Sequence, residues 1–67
     1  MKTIYKNDTE MYLVQKDESS GDLFLNAIVG GVGMYEIKQK MDAEMIAIYE
    51  TNPLNLLKFV ERLRLAS

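Results

Sequence analysis

The hydrophobic pattern of this 67-residue chain changes its period once, at Asp42. In residues 34–41, charged side chains alternate with apolar or uncharged ones, and a period of two is typical of a β-strand with one face in water. After Asp42 the apolar residues recur with the spacing of a helix. A chain that forms its strands first and its helices afterwards belongs to the α+β class.

The residues before Asp42 predict an antiparallel meander of three to four strands. The polar segments 7–10 and 17–22 have turn chemistry, and Gly21 supplies the positive φ that a reversal often needs. Leu23–Val29 is almost continuously apolar, with Asn26 as its only strongly polar residue, so we expect a central strand with both faces covered. The predicted strands are residues 3–6, 11–16, 23–29 and 34–41.

The alternation in the last of these strands predicts which side chains face water. Three charged residues share the water-facing side, namely Glu36, Lys38 and Lys40. The opposite side is expected to join the core through Tyr35, Ile37 and Met41. The preceding glycine-rich segment 30–33 forms either a tight turn or a bulge, and the turn is favoured.

Two helices are predicted at the C-terminal end, packed on one face of the sheet. Residues 43–51 form the first helix, with Asp42 as its N-cap, although a strand is the alternative for this segment. Asn52 and Pro53 are a strong start signal for the second helix, residues 53–66. Its buried stripe consists of Leu56, Phe59, Val60 and Leu63.

Length and composition exclude several classes of chemistry. A chain of 67 residues can build one hydrophobic core, so residues 1–67 are expected to be a single small α+β domain. The absence of cysteine and histidine excludes disulfides, zinc sites of the usual kind and Cys-His or Ser-His catalysis. Residues 17–22 fail the spacing of a calcium loop, and residues 30–33 lack a phosphate-binding motif. We expect a non-catalytic protein without a metal or cofactor.

Charge is unevenly distributed along the chain. Residues 1–51 hold five lysines and nine acidic residues, whereas the last segment carries Lys58, Arg62 and Arg64 against Glu61. Only this segment could attract phosphates, so a regulator that binds nucleic acid through its basic helix is the alternative function. No apolar run has the length of a signal peptide or membrane span, and the lack of cysteine suits the cytoplasm. We therefore expect a cytoplasmic protein that contacts no membrane.

Four residues of the second helix are the candidate partner-binding set: Leu54, Leu65, Lys58 and Arg62. The two leucines lie at nearly the same azimuth, opposite the buried stripe and on the side that carries Lys58. They either stand singly exposed, as surface leucines often do, or contact another protein.

By elimination, the sequence predicts a small protein–protein interaction module that binds or regulates another protein. Small domains with open antiparallel sheets tend to associate, so a homodimer is expected, formed through a sheet edge or through the leucine-bearing helix face. An acidic sheet region is expected to suit a basic target.

Overall fold

A computed structural model describes residues 1–30 and 33–66 and shows a four-stranded antiparallel sheet followed by helices. The strands occur in the sheet in chain order, so the connections are hairpins and the first and last strands are edges. This arrangement confirms the α+β meander, with four strands. The strands are β1 (Lys2–Asn7), β2 (Tyr12–Lys16), β3 (Leu23–Val29) and β4 (Tyr35–Lys40).

The hairpin connections follow the predicted turn chemistry, with one shift. Met11, expected to open the second strand, lies in the first turn with φ of 58°. Gly21 has φ of 80°, and its N–H donates to the Asp17 carbonyl at 2.7 Å, so the second turn closes as predicted. The segment after β3 contains Gly30, with φ of 95°, and residues 31–32, which lie outside the described residues.

Helix α1 (Ala43–Thr51) has the predicted bounds, and the strand alternative for this segment is wrong. Asp42 caps it, because its carboxylate accepts the Met45 N–H at 2.9 Å. Asn52 then caps a 3₁₀ turn (Pro53–Leu56), which leads into helix α2 (Leu57–Ala66). The predicted helix over residues 53–66 therefore begins as a tighter turn, which is common at helix N-termini.

One face of the sheet packs on both helices and forms the core. Tyr12 and Val14 share this face, as predicted, and the Tyr12 hydroxyl donates to the Pro53 carbonyl at 2.9 Å, which joins the sheet to the helices. Burial of one large apolar side chain contributes about 1.5–3 kcal/mol. The buried cluster consists of Tyr12, Val14, Leu25, Ala27, Met41, Met45, Leu56 and Val60.

Some side chains expected in the core are only partly covered. Phe59 and Leu63 of the predicted helix stripe are half-buried against the cluster, as is Tyr5. The expectation for Tyr35 is wrong, because this residue is 50% exposed. Tyr35 begins the edge strand β4, whereas α2 packs against β3, one strand further in. The helices therefore leave the start of β4 uncovered.

The second face of β3 is not covered by helices, contrary to expectation. Phe24 and Ile28 are half-buried there, whereas Asn26 between them is 1% exposed. The Asn26 side chain is covered by its neighbours on the same face, two of which accept hydrogen bonds from its amide. We call this surface the helix-free face.

The two edge strands differ in regularity. β4 pairs with β3 in continuous register from Tyr35 to Lys40. β1 pairs with β2 but shifts register between Thr3 and Tyr5, where Ile4 is an extra residue. Such a bulge twists and bends an edge strand, which makes it a poor template for a further strand. Within the described residues, no helix is long and apolar enough to cross a membrane.

Candidate protein-binding surface

The outer side of the C-terminal helical segment exposes the two predicted leucines. Leu54, in the 3₁₀ turn, is 58% exposed, and Leu65, near the end of α2, is 89% exposed. Both point away from the buried cluster, as the helical spacing predicts. Their contact with another protein stays a prediction.

Leu54 lies beside a groove of about 310 Å³ between the two helical segments. Asn52 positions it, since the Asn52 side chain accepts the Leu54 N–H at 3.1 Å and holds the first residues of the turn. The groove combines apolar walls with one amide and one cation at its rim. Its lining residues are Ile48, Leu54, Asn55 and Lys58.

Phe59 joins Lys58 to Arg62 on the next part of this surface. The Lys58 ammonium and the Arg62 guanidinium each lie 5.3 Å from the centroid of the Phe59 ring. Cations at this distance over an aromatic face are attracted by the ring quadrupole. Sequence reasoning assigned Phe59 to the core, although its position three residues before Arg62 indicates a contact between these two side chains on a helix. The contact with the adjacent Lys58 has no such signal in the helical spacing.

Arg64 belongs to the structural framework of the domain. Its guanidinium donates to the backbone carbonyls of Ile28 at 3.3 Å and Glu10 at 2.6 Å, so it fastens α2 to one end of the sheet. The predicted basic cluster therefore presents Lys58 and Arg62 as its exposed cations.

The four candidate residues do not form one compact patch. Leu54 and Lys58 share the groove, and Arg62 follows one turn later through Phe59. Leu65 lies about 18 Å from Leu54 along the helix axis, given the rise of the 3₁₀ turn and of α2. A partner that contacts both leucines must extend along the whole helix.

The expected acidic sheet region is wrong. Within the described residues, Glu36 is the only acidic residue on a strand, and it shares the helix-free face with three lysines. The remaining acidic residues lie in the turns, at the Asp42 cap, in α1 and in α2. Two of the lysines have acidic neighbours in turns, with Lys6 3.4 Å from Asp8 and Lys40 3.6 Å from Asp22.

No group of three or more acidic side chains in residues 1–30 and 33–66 could hold a metal ion. In the polar turn at residues 17–22, the Asp17 carboxylate accepts the Ser19 hydroxyl at 2.7 Å and the Ser19 N–H at 3.0 Å. These bonds hold the pKa of the Asp17 carboxyl below its usual value. The carboxylate thus closes its own turn.

No family model, curated protein or solved structure matches the chain. The chemistry of the surface is therefore read from its side chains: an apolar groove beside Leu54, and two cations that flank the Phe59 ring. This combination is complementary to a protein ligand that presents an apolar side chain next to carboxylate groups.

Proposed function

We propose that this chain is a small, non-catalytic cytoplasmic protein that acts by protein–protein interaction. It associates as a homodimer and binds a second protein through the outer surface of its C-terminal helical segment. The observation that carries the proposal is the groove beside Leu54, with Lys58 at its rim and Arg62 one turn away. The absence of cysteine supports the cytoplasmic location.

The surface is suited to binding because its cations are already oriented. Contact with the Phe59 ring restricts the Lys58 and Arg62 side chains before a partner arrives, which reduces the conformational entropy lost on binding. Leu54 supplies apolar area that a partner can bury. Arg62 supplies a residue type that is enriched among those that dominate binding energy at protein interfaces.

The proposal is tested by capture from native lysate with matched variants. Leu54→Glu places a charge in the groove, and Met11→Glu is the control, because Met11 is an exposed apolar residue in the first turn, away from the groove and from β4. We expect a protein that wild type and Met11→Glu retain and Leu54→Glu loses, as identified by mass spectrometry.

The retained protein is then purified for calorimetry. Its affinity is expected to fall at least tenfold in Lys58→Glu, because the new carboxylate repels the acidic groups of the partner. A set of captured proteins that is the same for all variants, or an affinity unchanged by Lys58→Glu, contradicts the proposed surface.

The alternative is a nucleic-acid-associated regulator, and the pair Lys58 and Arg62 favours it. Two phosphate contacts correspond to a slope of only about −2 in a plot of log affinity against log salt. Retardation assays with DNA and RNA between 50 and 200 mM salt distinguish the two functions. Binding that Lys58→Glu and Arg62→Glu both abolish supports the alternative over the protein partner.

A further inference from the structure

The outer edge of β4 has free backbone hydrogen-bonding positions in a regular pattern. The Met41 N–H donates to the Leu23 carbonyl at 2.8 Å, and the same register continues along the two strands. Backbone groups alternate in direction along an antiparallel strand. The N–H and C=O groups of Glu36, Lys38 and Lys40 therefore point away from β3, toward the open edge.

The side chains along this edge carry a self-complementary charge pattern on the helix-free face. Glu36 and Lys38 are two residues apart and have opposite charge. Glu36 is held in place, since one of its carboxylate oxygens accepts the Asn26 amide at 3.0 Å. The Lys38 ammonium lies 5.7 Å from the centroid of the Phe24 ring. Both charges are thus oriented on the same face beside the edge.

We propose that a second copy of this chain pairs with β4 in antiparallel orientation, with the two-fold axis at Ile37. The two sheets then form one continuous sheet of eight strands. In this register Glu36 of each copy lies opposite Lys38 of the other, and the two Ile37 side chains meet on the helix-covered side. This inference rests on the proposed function, because it names the surface through which the chain self-associates.

The charges select this register over its neighbours. A residue whose N–H and C=O groups point toward the open edge must pair with a residue of the same kind in the second copy. The two strands can therefore shift against each other only in steps of two residues. Pairing about Lys38 places two lysines directly opposite each other, and pairing about Glu36 does the same with two glutamates. Like charges opposite each other destabilise a strand pair, whereas opposite charges stabilise it.

The exposure of the core-side residues fits the same arrangement. Tyr35 is half exposed at the start of β4, and in the proposed register it faces Gln39 of the second copy. The bulge in β1 makes the other edge of the sheet a poor site for pairing. The β4 edge is also separate from the groove beside Leu54, so both contacts can form at once.

Charge reversal at the two paired positions tests the inference. Light scattering and sedimentation of wild type at micromolar concentrations should give twice the chain mass of 7.7 kDa. Glu36→Lys and Lys38→Glu should each weaken self-association at least tenfold, because each brings like charges together at both paired positions. An equimolar mixture of the two variants should restore a heterodimer in native mass spectrometry, since every facing pair is again opposite in charge.

Two further variants keep the test specific. Lys40→Glu makes the same charge change on the same strand, but position 40 faces Met34 in this register, so the dimer should persist. Lys38→Pro removes an outward N–H and leaves the hydrogen bonds to β3 intact, so it should give a folded monomer. Circular dichroism checks that each variant keeps its fold.

Different outcomes of these experiments contradict the pairing register, the pairing through β4 and the homodimer. A wild-type mass of 7.7 kDa at all concentrations overturns the dimer and this inference together, while partner capture through Leu54 is unaffected. A dimer that resists both charge reversals, or that Leu54→Glu dissociates, overturns pairing through β4 but leaves the homodimer. Dissociation by Lys40→Glu overturns the register about Ile37, because that lysine faces Glu36 when the pairing is centred on Lys38.

Discussion

Asn26 shows how a polar residue is accommodated at the centre of the sheet. Its side-chain amide donates to Gln15 at 2.9 Å and to Glu36 at 3.0 Å, so one residue connects three adjacent strands. Both acceptors bond the amide nitrogen, and this determines the orientation of the amide group, because the reversed orientation would bring oxygen against oxygen. Its own oxygen is buried without a hydrogen-bond partner among the described residues.

Two substitutions of Asn26 should therefore distinguish the cost of burying a charge from the cost of losing the amide hydrogen bonds. Asn26→Asp replaces the donor with a buried carboxylate beside Glu36, and we expect a loss of about 3–5 kcal/mol in the free energy of unfolding. Asn26→Leu removes the polar group, and the acceptors on half-buried Gln15 and exposed Glu36 can bond water instead, so it should cost less than about 1 kcal/mol. Urea denaturation measures both values. A leucine variant less stable than the aspartate variant would contradict this account of the network.

Tyr12 connects the sheet to the helices and makes stability sensitive to alkaline pH. Burial is the main reason why the pKa of Tyr12 is raised to about 12, and the neighbouring Tyr5 adds to this shift. Between the unfolded pKa near 10 and this value, the unfolded chain loses the phenol proton and the folded chain keeps it, so stability falls as pH rises. Below pH 10 both states hold the proton, and the contribution of Tyr12 is fully present.

The expected loss through this window is about 2–3 kcal/mol. Tyr12→Phe should lose about 1 kcal/mol at neutral pH, because the hydrogen bond to the Pro53 carbonyl is absent. It should also show a shallower decline above pH 10 than wild type does. Chemical denaturation at pH 8, 10 and 11.5 compares the two proteins, and parallel pH profiles would exclude Tyr12 as the titrating group.

At the scale of elements, local signals were sufficient for most boundaries. β3 and α1 have the predicted bounds, because an apolar run between turns and an N-cap are both encoded within a few residues. The exposure of Tyr35 was not predictable, since it depends on which strands the helices cover. The anchoring of Arg64 likewise depends on two carbonyls that are distant in sequence, one in the first turn and one in β3.

The candidate surface likewise has features that the sequence predicts and features that depend on the packing of distant segments. The outward direction of Leu54 and Lys58 follows from helical spacing, which sequence alone supplies. The groove beside them requires Ile48 of the preceding helix, and its position relative to Leu54 depends on how the two helical segments cross. Periodicity within one segment carries no information about that crossing.

The Asp42 cap gives a prediction at this scale. Asp42→Ala removes the acceptor for the Met45 N–H and should destabilise the protein by about 1 kcal/mol. Asp42→Asn keeps a capping oxygen and should lose only a few tenths of that value. Thermal melts followed by circular dichroism compare the three proteins. Equal losses in both variants would mean that charge, and not the cap hydrogen bond, is what α1 needs.

For the whole molecule, the proposed self-association would link stability to protein concentration. A domain of 67 residues has a small free energy of unfolding. A dimer that forms only from folded chains would stabilise them by mass action. A hundredfold increase in concentration should raise the Tm of wild type by roughly 5 °C or more. The Tm of Lys38→Pro, the expected monomer, should stay constant over the same range. A concentration-independent Tm for wild type would contradict the coupling of folding to association.

The bulge in β1 limits how far such an assembly can grow. A fibril lengthens only if each added copy offers an edge like the one it used, but the two edges of this sheet are unequal. The proposed pairing through β4 would consume the regular edge of both copies and leave a bulged β1 at each end. The stoichiometry should therefore stop at two, and higher concentrations should populate closed pairs without producing polymers.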